Sequence, residues 1–238
     1  MQYRTSRLVA GPLLRTLARP RITGAEHIPA TGPAIVASNH LSVVDSIFLP
    51  FMLERTLVFA AKSEYFTGTR LQDRAIAAYL RATNQLSVDR TEARAAQDML
   101  ESALDLLRAG ELFGIYPEGT RSPDGRLYRG RPGVGWLALN SGAPVIPVAM
   151  VGTERILPPG HRIPRPGRIS IRVGEPLTFE GLQGARAQQR RVVTDEVIQA
   201  IQKLSGQEYV PMYASARKDE IAAERAAAQS ARRTRRSG

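Results

Sequence analysis

From Gly32 onward, short β-rich apolar runs alternate with segments whose apolar residues recur at helical spacing. The runs at Ala34–Ser38, Leu57–Ala61, Gln85–Val88, Leu112–Tyr116, Val145–Val151 and Ile169–Val173 are predicted to be strands. The spacing predicts helices over Val43–Leu53, Glu92–Arg108, Gly133–Ser141, ended by Gly142, and Ala185–Leu204. The plainest periodicity is that of 92–108. It places Ala96, Met99, Leu100, Ala103, Leu106 and Leu107 on one face, with Gly110 positioned to stop the helix. Strands alternating with helices predict an α/β fold, a single domain built on a mixed sheet covered by helices.

The two ends of the chain read differently. Val9, Ala10, Leu13 and Leu17 fall on one side of a helical wheel, and Arg4, Arg7, Arg15 and Arg19 centre on the other. Residues 1–20 are therefore expected to be an amphipathic segment that lies on a membrane or packs on the body, interrupted by Gly11-Pro12. The domain itself is expected over 21–213. After Tyr213, Ala, Arg, Lys and Glu take over, with seven basic residues against three acidic ones. That composition reads as a frayed helix or a disordered, basic tail over 214–238.

With 238 residues, 43% of them apolar, the chain can bury one sizeable core. Its apolar runs are short, as in Ile47–Leu53, seven residues with Pro50 inside it. Spanning a bilayer takes roughly 18–20 residues, so no membrane crossing is expected. No apolar stretch or small-residue cleavage site follows the early arginines, and a cytoplasmic location is expected. A net charge of +11 calls for a negatively charged partner, anionic lipid or nucleic acid. Aromatic residues make up only 6% and are not interleaved with basic ones, so base stacking has little to work with and nucleic acid is disfavoured. There is no cysteine, which excludes disulfides, thiolate metal sites and a cysteine nucleophile.

Three histidines could carry proton chemistry. His161 lies in a Pro-Pro-Gly loop, and His27 has only Glu26 nearby. His40 ends a predicted buried strand and precedes Leu41-Ser42-Val43-Val44-Asp45. Residues five apart on one helix face in different directions, so His40 and Asp45 can meet only if His40 sits in the loop and Asp45 in the first helical turn. Ser42 offers that boundary as an N-cap, with Asp45 three residues on, where a capping acid belongs. Asp45 then has two readings. It either caps the helix, or it accepts the ring N–H of His40, fixing the tautomer and stabilising the imidazolium. A metal site is a third option, but one His and one Asp make a poor ligand set.

The second constellation is Tyr116-Pro117-Glu118-Gly119-Thr120-Arg121-Ser122, directly after a predicted strand. A Gly-containing turn there can expose backbone N–H groups, and Arg121 offers a planar fork for phosphate. The same residues are also ordinary turn chemistry.

Together the blocks resemble the glycerolipid acyltransferases of the lysophosphatidic acid acyltransferase type. Asn39 to Asp45 looks like that family's NHxxxxD block, Tyr116 to Ser122 looks like its FPEGTRS block with Tyr for Phe, and Val145-Ile146-Pro147-Val148-Ala149 is similar to its fourth, apolar block. The resemblance covers roughly Pro33 to Pro176. The second block is less clear, with Lys62 before Glu64-Tyr65-Phe66, or Arg70 or Arg74, as its acceptor-binding base, and Val88-Asp89-Arg90 as the segment that follows.

The resemblance implies His40 as general base, Asp45 as its orienting partner, and Lys62, Glu118, Gly119, Thr120 and Arg121 as acceptor-binding positions. It implies no cofactor and no metal, with acyl-CoA or acyl carrier protein as the donor substrate. It also implies a lysophospholipid or glycerol-phosphate acceptor, 1-acylglycerol 3-phosphate first, met at the anionic inner face of the cell membrane. The sequence does not identify the donors that the developing oxyanion needs; backbone N–H groups near Gly119 are candidates. Another acceptor, such as glycerol 3-phosphate, lysophosphatidylinositol or a sugar-bearing lipid, fits the same motifs. A non-catalytic basic module is the rival of a different class, resting on the charge alone.

Overall fold

The computed structural model describes residues 11, 14–62, 85–88, 94–158, 161 and 163–234. The main sheet has seven strands: β1 (Arg21–Thr23), β2 (Ala34–Ser38), β3 (Leu57–Lys62), β4 (Leu86–Val88), β5 (Leu112–Ile115), β7 (Val145–Val151) and β8 (Ser170–Val173). Their order is β1-β8-β7-β2-β5-β3-β4, parallel throughout except for the antiparallel β7–β8 pair. A separate parallel pair joins β6 (Leu127–Tyr128) to β9 (Tyr209–Val210). The helices are α1 (Asp45–Met52), α2 (Ala95–Arg108), α3 (Gly133–Ser141), the short α4 (Thr153–Ile156), α5 (Arg186–Ser205) and α6 (Ala214–Thr234).

The chain is thus the expected α/β domain, a mixed sheet with helices on both faces. Every residue of β2 is buried. Such a strand reads as a continuous apolar run because both its faces are covered. Ala34 and Val36 face one core layer with Phe48 and Leu49 of α1. Ile35 and Ala37 face the other, with Leu107 of α2, Leu137 of α3 and Val197 and Ile201 of α5.

Four local expectations change. Helix α1 begins at Asp45 rather than Val43, and its cap position is Val44, with no side-chain cap bond. On α2 the buried stripe runs through Ala95, Ala103, Leu104 and Leu107, while Ala96 is exposed. Alanine marks a helix face weakly because so little apolar area depends on its placement. The segment after Tyr213 is a helix rather than a disordered tail. Its alanines and long charged side chains are strong helix formers, Arg217 pairs with Glu220 and Glu224, and Ala214 is fully buried. The strands β1, β6 and β9, two or three residues long, leave too short a pattern to read in sequence.

Near the N-terminus, residues 14–18 are helical, with Leu14 and Leu17 packed on the core and Arg15 and Arg19 exposed. The part of the amphipathic segment that is described therefore packs on the body, while Arg4, Arg7, Val9, Ala10 and Leu13 lie outside the described residues. No helix among the described residues is long and apolar enough to cross a membrane.

Candidate active site

Strands β2 and β5 are parallel neighbours, with Ala34 beside Leu112 and Ala37 beside Ile115. Their C-terminal ends open on the same edge of the sheet, where parallel α/β sheets place ligands. From that edge β2 runs into Asn39–Val44 and β5 into Tyr116–Ser122, so topology brings together two segments far apart in sequence.

His40 leaves the end of β2 in the loop, and Asp45 opens α1. The His40 ring Nδ1 lies 2.9 Å from Asp45 Oδ2, with the carboxylate side chain fully buried and the imidazole 15% exposed. The same Oδ2 accepts the backbone N–H of Leu41 at 2.7 Å and of Ser42 at 2.8 Å. One carboxylate oxygen therefore serves both the turn that leads into α1 and the imidazole, although the cap position itself is Val44. Asp45 ties down the turn that enters the helix, and it orients the imidazole. Ser42 is not the cap the sequence suggested, because its hydroxyl donates to the Leu157 carbonyl at 2.9 Å. An oxygen already facing two N–H donors requires a third donor at Nδ1, so the ring carries its proton there and Nε2 is left to accept one.

Two further contacts hold His40 in the loop. Its ring stacks on Tyr116, centroids 3.8 Å apart and planes 8° from parallel, and Tyr116 stacks in turn on Phe59 at 4.9 Å. The Tyr116 hydroxyl lies 2.9 Å from Ser46 Oγ on α1, which gives the tyrosine in place of phenylalanine a partner. Gly114 makes room for the stack, since a Cβ there would stand 2.5 Å from the Phe59 ring. Beside His40, Asn39 is fully buried and exchanges hydrogen bonds with Met150 of β7, Nδ2 to the carbonyl at 3.0 Å and N–H to Oδ1 at 2.7 Å.

The loop after β5 is fastened to the backbone of His40 on both sides. The His40 N–H donates to Glu118 Oε1 at 3.3 Å, and the Ser122 N–H donates to the His40 carbonyl at 2.7 Å. Glu118 Oε2 accepts the Tyr128 N–H at 2.9 Å. The sequence placed Glu118 among the acceptor-binding positions. The structure buries it to 1% exposure and gives both its oxygens to backbone amides, so it joins the two loops. Loop amides outside the sheet ladder need acceptors when buried, and a carboxylate can serve two of them.

Burial pushes the Glu118 carboxyl up to about 7 from its ordinary 4.5, opposed by the amides of Tyr128 and His40. Asp45 pushes in the same direction as burial, and Lys218 opposes it. Unfolded, the group ionises near 4.5; folded, it keeps its proton to about 7. Between those values the folded state binds more protons, so stability falls as pH rises through the window and levels off above it. The expected loss is about 3 kcal/mol. Denaturant titrations at pH 4.5 and 8 should show this difference in the wild type and its absence in Glu118→Gln.

Gly119 adopts a φ of 74°, and a Cβ there would stand 2.7 Å from Arg131 Cδ, so the turn requires glycine on both counts. Its N–H donates to the Tyr116 carbonyl at 2.9 Å, so among the candidate N–H groups of this turn its own is engaged. The N–H groups of Thr120 and Arg121 meet no acceptor among the described residues. Arg121 is partly exposed and makes no ion pair among those residues.

Lys62 ends β3, which pairs in parallel with β5 and so finishes on the same sheet edge as His40. The other second-block candidates, Arg70, Arg74, Asp89 and Arg90, lie outside the described residues. His27 has its Nδ1 3.2 Å from the Val173 carbonyl, and His161 sits in the exposed loop that follows β7 and α4.

Sequence reasoning missed two residues that close the site from the C-terminal part of the chain. Gln207 accepts from Asn39 Nδ2 at 2.7 Å and donates to the Gly125 carbonyl at 2.7 Å. Lys218 of α6 donates to Thr120 Oγ1 at 2.5 Å. Neither is adjacent in sequence to a motif. Gln207 lies in a short connection of the domain and Lys218 in the segment read as a tail, and no local signal could have placed either at the site.

The chain is similar in sequence and in fold to known proteins. A profile of the family described as Acyltransferase matches residues 19–151. The chain is 30% identical over 158 residues to a chloroplastic 1-acyl-sn-glycerol-3-phosphate acyltransferase of Arabidopsis thaliana, covering 66% of this chain and 43% of that protein. It is 31% identical over 165 residues to the 1-acyl-sn-glycerol-3-phosphate acyltransferase alpha of Mus musculus, covering 69% and 56% respectively. The chain thus spans about half the length of the curated relatives it matches. The crystal structure of a 1-acyl-sn-glycerophosphate acyltransferase from Thermotoga maritima superposes with a TM-score of 0.62 at 27% identity, covering 83% of this chain and 78% of that one.

Proposed function

The chain belongs to the acyltransferase family, and from that premise we propose that it transfers a fatty acyl group from a thioester, acyl-CoA or acyl carrier protein, to the free hydroxyl of 1-acylglycerol 3-phosphate, giving phosphatidic acid. The observation that carries this reading is the His40–Asp45 pair, fastened through both the N–H and the carbonyl of His40 to the loop that bears Thr120 and Arg121. A proton acceptor and a cationic loop at that spacing suit an acceptor with a hydroxyl near a phosphate.

A glycerol hydroxyl is a weak nucleophile until a base takes its proton as the new bond forms. His40 Nε2 takes that proton, and Asp45 stabilises the imidazolium across Nδ1. The oxygen attacks the thioester carbonyl carbon, the C–S bond breaks, and the departing thiolate recovers a proton from the imidazolium. No covalent enzyme intermediate is needed. The loop N–H groups of Thr120 and Arg121, next to Gly119, are the donors assigned to the developing oxyanion. Arg121, with Lys62 on the neighbouring strand end, binds the acceptor phosphate, so binding energy remote from the reacting centre is used for orientation. Because the acceptor is an amphiphile, the reaction takes place at a membrane surface. The net charge of +11 favours an anionic one, and the protein is placed peripherally on the cytoplasmic face.

The test is a panel of acceptors offered with one acyl-CoA: 1-acylglycerol 3-phosphate, glycerol 3-phosphate, lysophosphatidylinositol and 1-acylglycerol. The highest kcat/KM is expected with 1-acylglycerol 3-phosphate; a preference for any other acceptor replaces the reading. Arg121→Ala should lower kcat/KM for the phosphorylated acceptor about tenfold, the loss of a partly exposed charge-assisted contact of about 1.5 kcal/mol, and leave the KM for acyl-CoA in place. A donor KM that rises instead would assign Arg121 to the thioester.

A further inference from the structure

We infer that Lys218, on the first turns of the C-terminal helix α6, is a specificity-determining residue that completes the phosphate site with Arg121. The inference rests on the phosphorylated acceptor proposed above and adds a residue that lies far outside the motifs.

The position of Lys218 is built by several contacts. Its Nζ donates to Thr120 Oγ1 at 2.5 Å, which sets the ammonium on the loop one residue before Arg121. The turn that carries it is clamped by Arg131. That residue's N–H donates to the Pro117 carbonyl at 2.7 Å, its side chain covers Gly119, and its guanidinium donates to Ser215 Oγ at 3.0 Å. Arg131 also lies over the Tyr213 ring, 5.1 Å from its centroid, with Arg129 at 5.7 Å. Ala214 is fully buried at the same junction. The helix start and the loop therefore form one packed unit.

The charges of this unit are unbalanced toward the cation. Of the three acidic residues that follow it on α6, Glu220 and Glu224 are held by Arg217, and Asp219 is exposed to solvent and makes no ion pair with Lys218. Neither Lys218 nor Arg121 makes an ion pair among the described residues. Burial holds the Lys218 ammonium below its ordinary value, with Arg121 pushing the same way and Glu118 opposing. Glu118 itself is already occupied by two amides. Two cations packed on one loop repel each other until an anion comes between them. A phosphate monoester, with several acceptor oxygens and close to two negative charges near neutral pH, has the charge and the acceptors to engage both.

The full chain would be tested with a soluble short-chain probe, 1-hexanoylglycerol 3-phosphate, against its dephosphorylated counterpart, 1-hexanoylglycerol. Binding would be measured by calorimetry and turnover with acyl-CoA. Lys218→Gln removes the charge and leaves a shorter side chain that still ends in a hydrogen-bond donor. It should weaken binding of the phosphorylated probe about tenfold and narrow the discrimination between the two probes by the same factor, with the KM for acyl-CoA unchanged. Lys218→Arg should restore most of both. A wild type that binds the phosphorylated probe without acylating it would sink the proposed reaction and leave the Lys218 assignment standing. Equal phosphate discrimination in wild type and Lys218→Gln would overturn the assignment, as would a loss in Lys218→Gln that Lys218→Arg does not repair.

Discussion

His40→Ala is expected to lower kcat by roughly 10²- to 10⁴-fold, the usual contribution of a positioned general base, while the protein keeps its melting temperature within a few degrees. The expectation follows from what the ring does and does not hold together. Its Nδ1 is committed to Asp45 and its face to Tyr116, but the bonds that fasten the two loops run through the His40 backbone, which alanine retains. Chemistry should be lost while architecture survives. His27→Ala and His161→Ala provide internal controls, His27 because its ring lies against the Val173 carbonyl and His161 because it sits in an exposed loop outside the motif blocks. Steady-state rates and thermal melts on the three variants decide the matter. A His40→Ala protein with wild-type turnover ends the proposed mechanism.

Asp45→Asn is expected to lower kcat about 10²-fold and stability by about 1–3 kcal/mol, for two separable reasons. Asp45 Oδ2 accepts from His40 Nδ1 and from the Leu41 and Ser42 amides, while Oδ1 is buried with no hydrogen-bond partner among the described residues. Three donors dictate that the asparagine oxygen take the Oδ2 position. Its NH₂ group then sits buried and unpaired where Oδ1 was, which costs stability. The turn and the tautomer survive, and what disappears is the negative charge facing the imidazolium. Asp45→Ala should lose the turn as well and fall further on both measures. An Asp45→Asn enzyme with full activity and lowered stability would reduce Asp45 to its structural part.

How much of this was legible in the chain depends on how local each cause is. Strand β2 announced itself because burial on both faces demands an uninterrupted apolar run, and α3 and α5 because their spacing and end signals lie within one segment. His40 and Asp45 could be paired from sequence because only five positions separate them, and a loop-to-helix boundary between them is a local event. The capping role given to Ser42 was a local guess that the fold overrode, since the Leu157 carbonyl, more than a hundred residues on, claims its hydroxyl. Glu118 shows the same limit: an acid in a motif looks like a ligand group until the amides of His40 and Tyr128 are seen to take both its oxygens.

The sequence by itself determined the fold class, the order of the longer elements, and the residue types that meet at the end of β2, because hydrophobic period and turn chemistry act over a few residues. Only the tertiary structure decided which loops share an edge, which oxygen faces which amide, and that a lysine from the last helix stands beside Thr120. Those contacts join positions tens of residues or more apart, and their energies depend on burial and on the presence of a partner. Neither quantity exists until parallel pairing has placed β2 beside β5 and packing has docked α6 on the loop between them and the solvent.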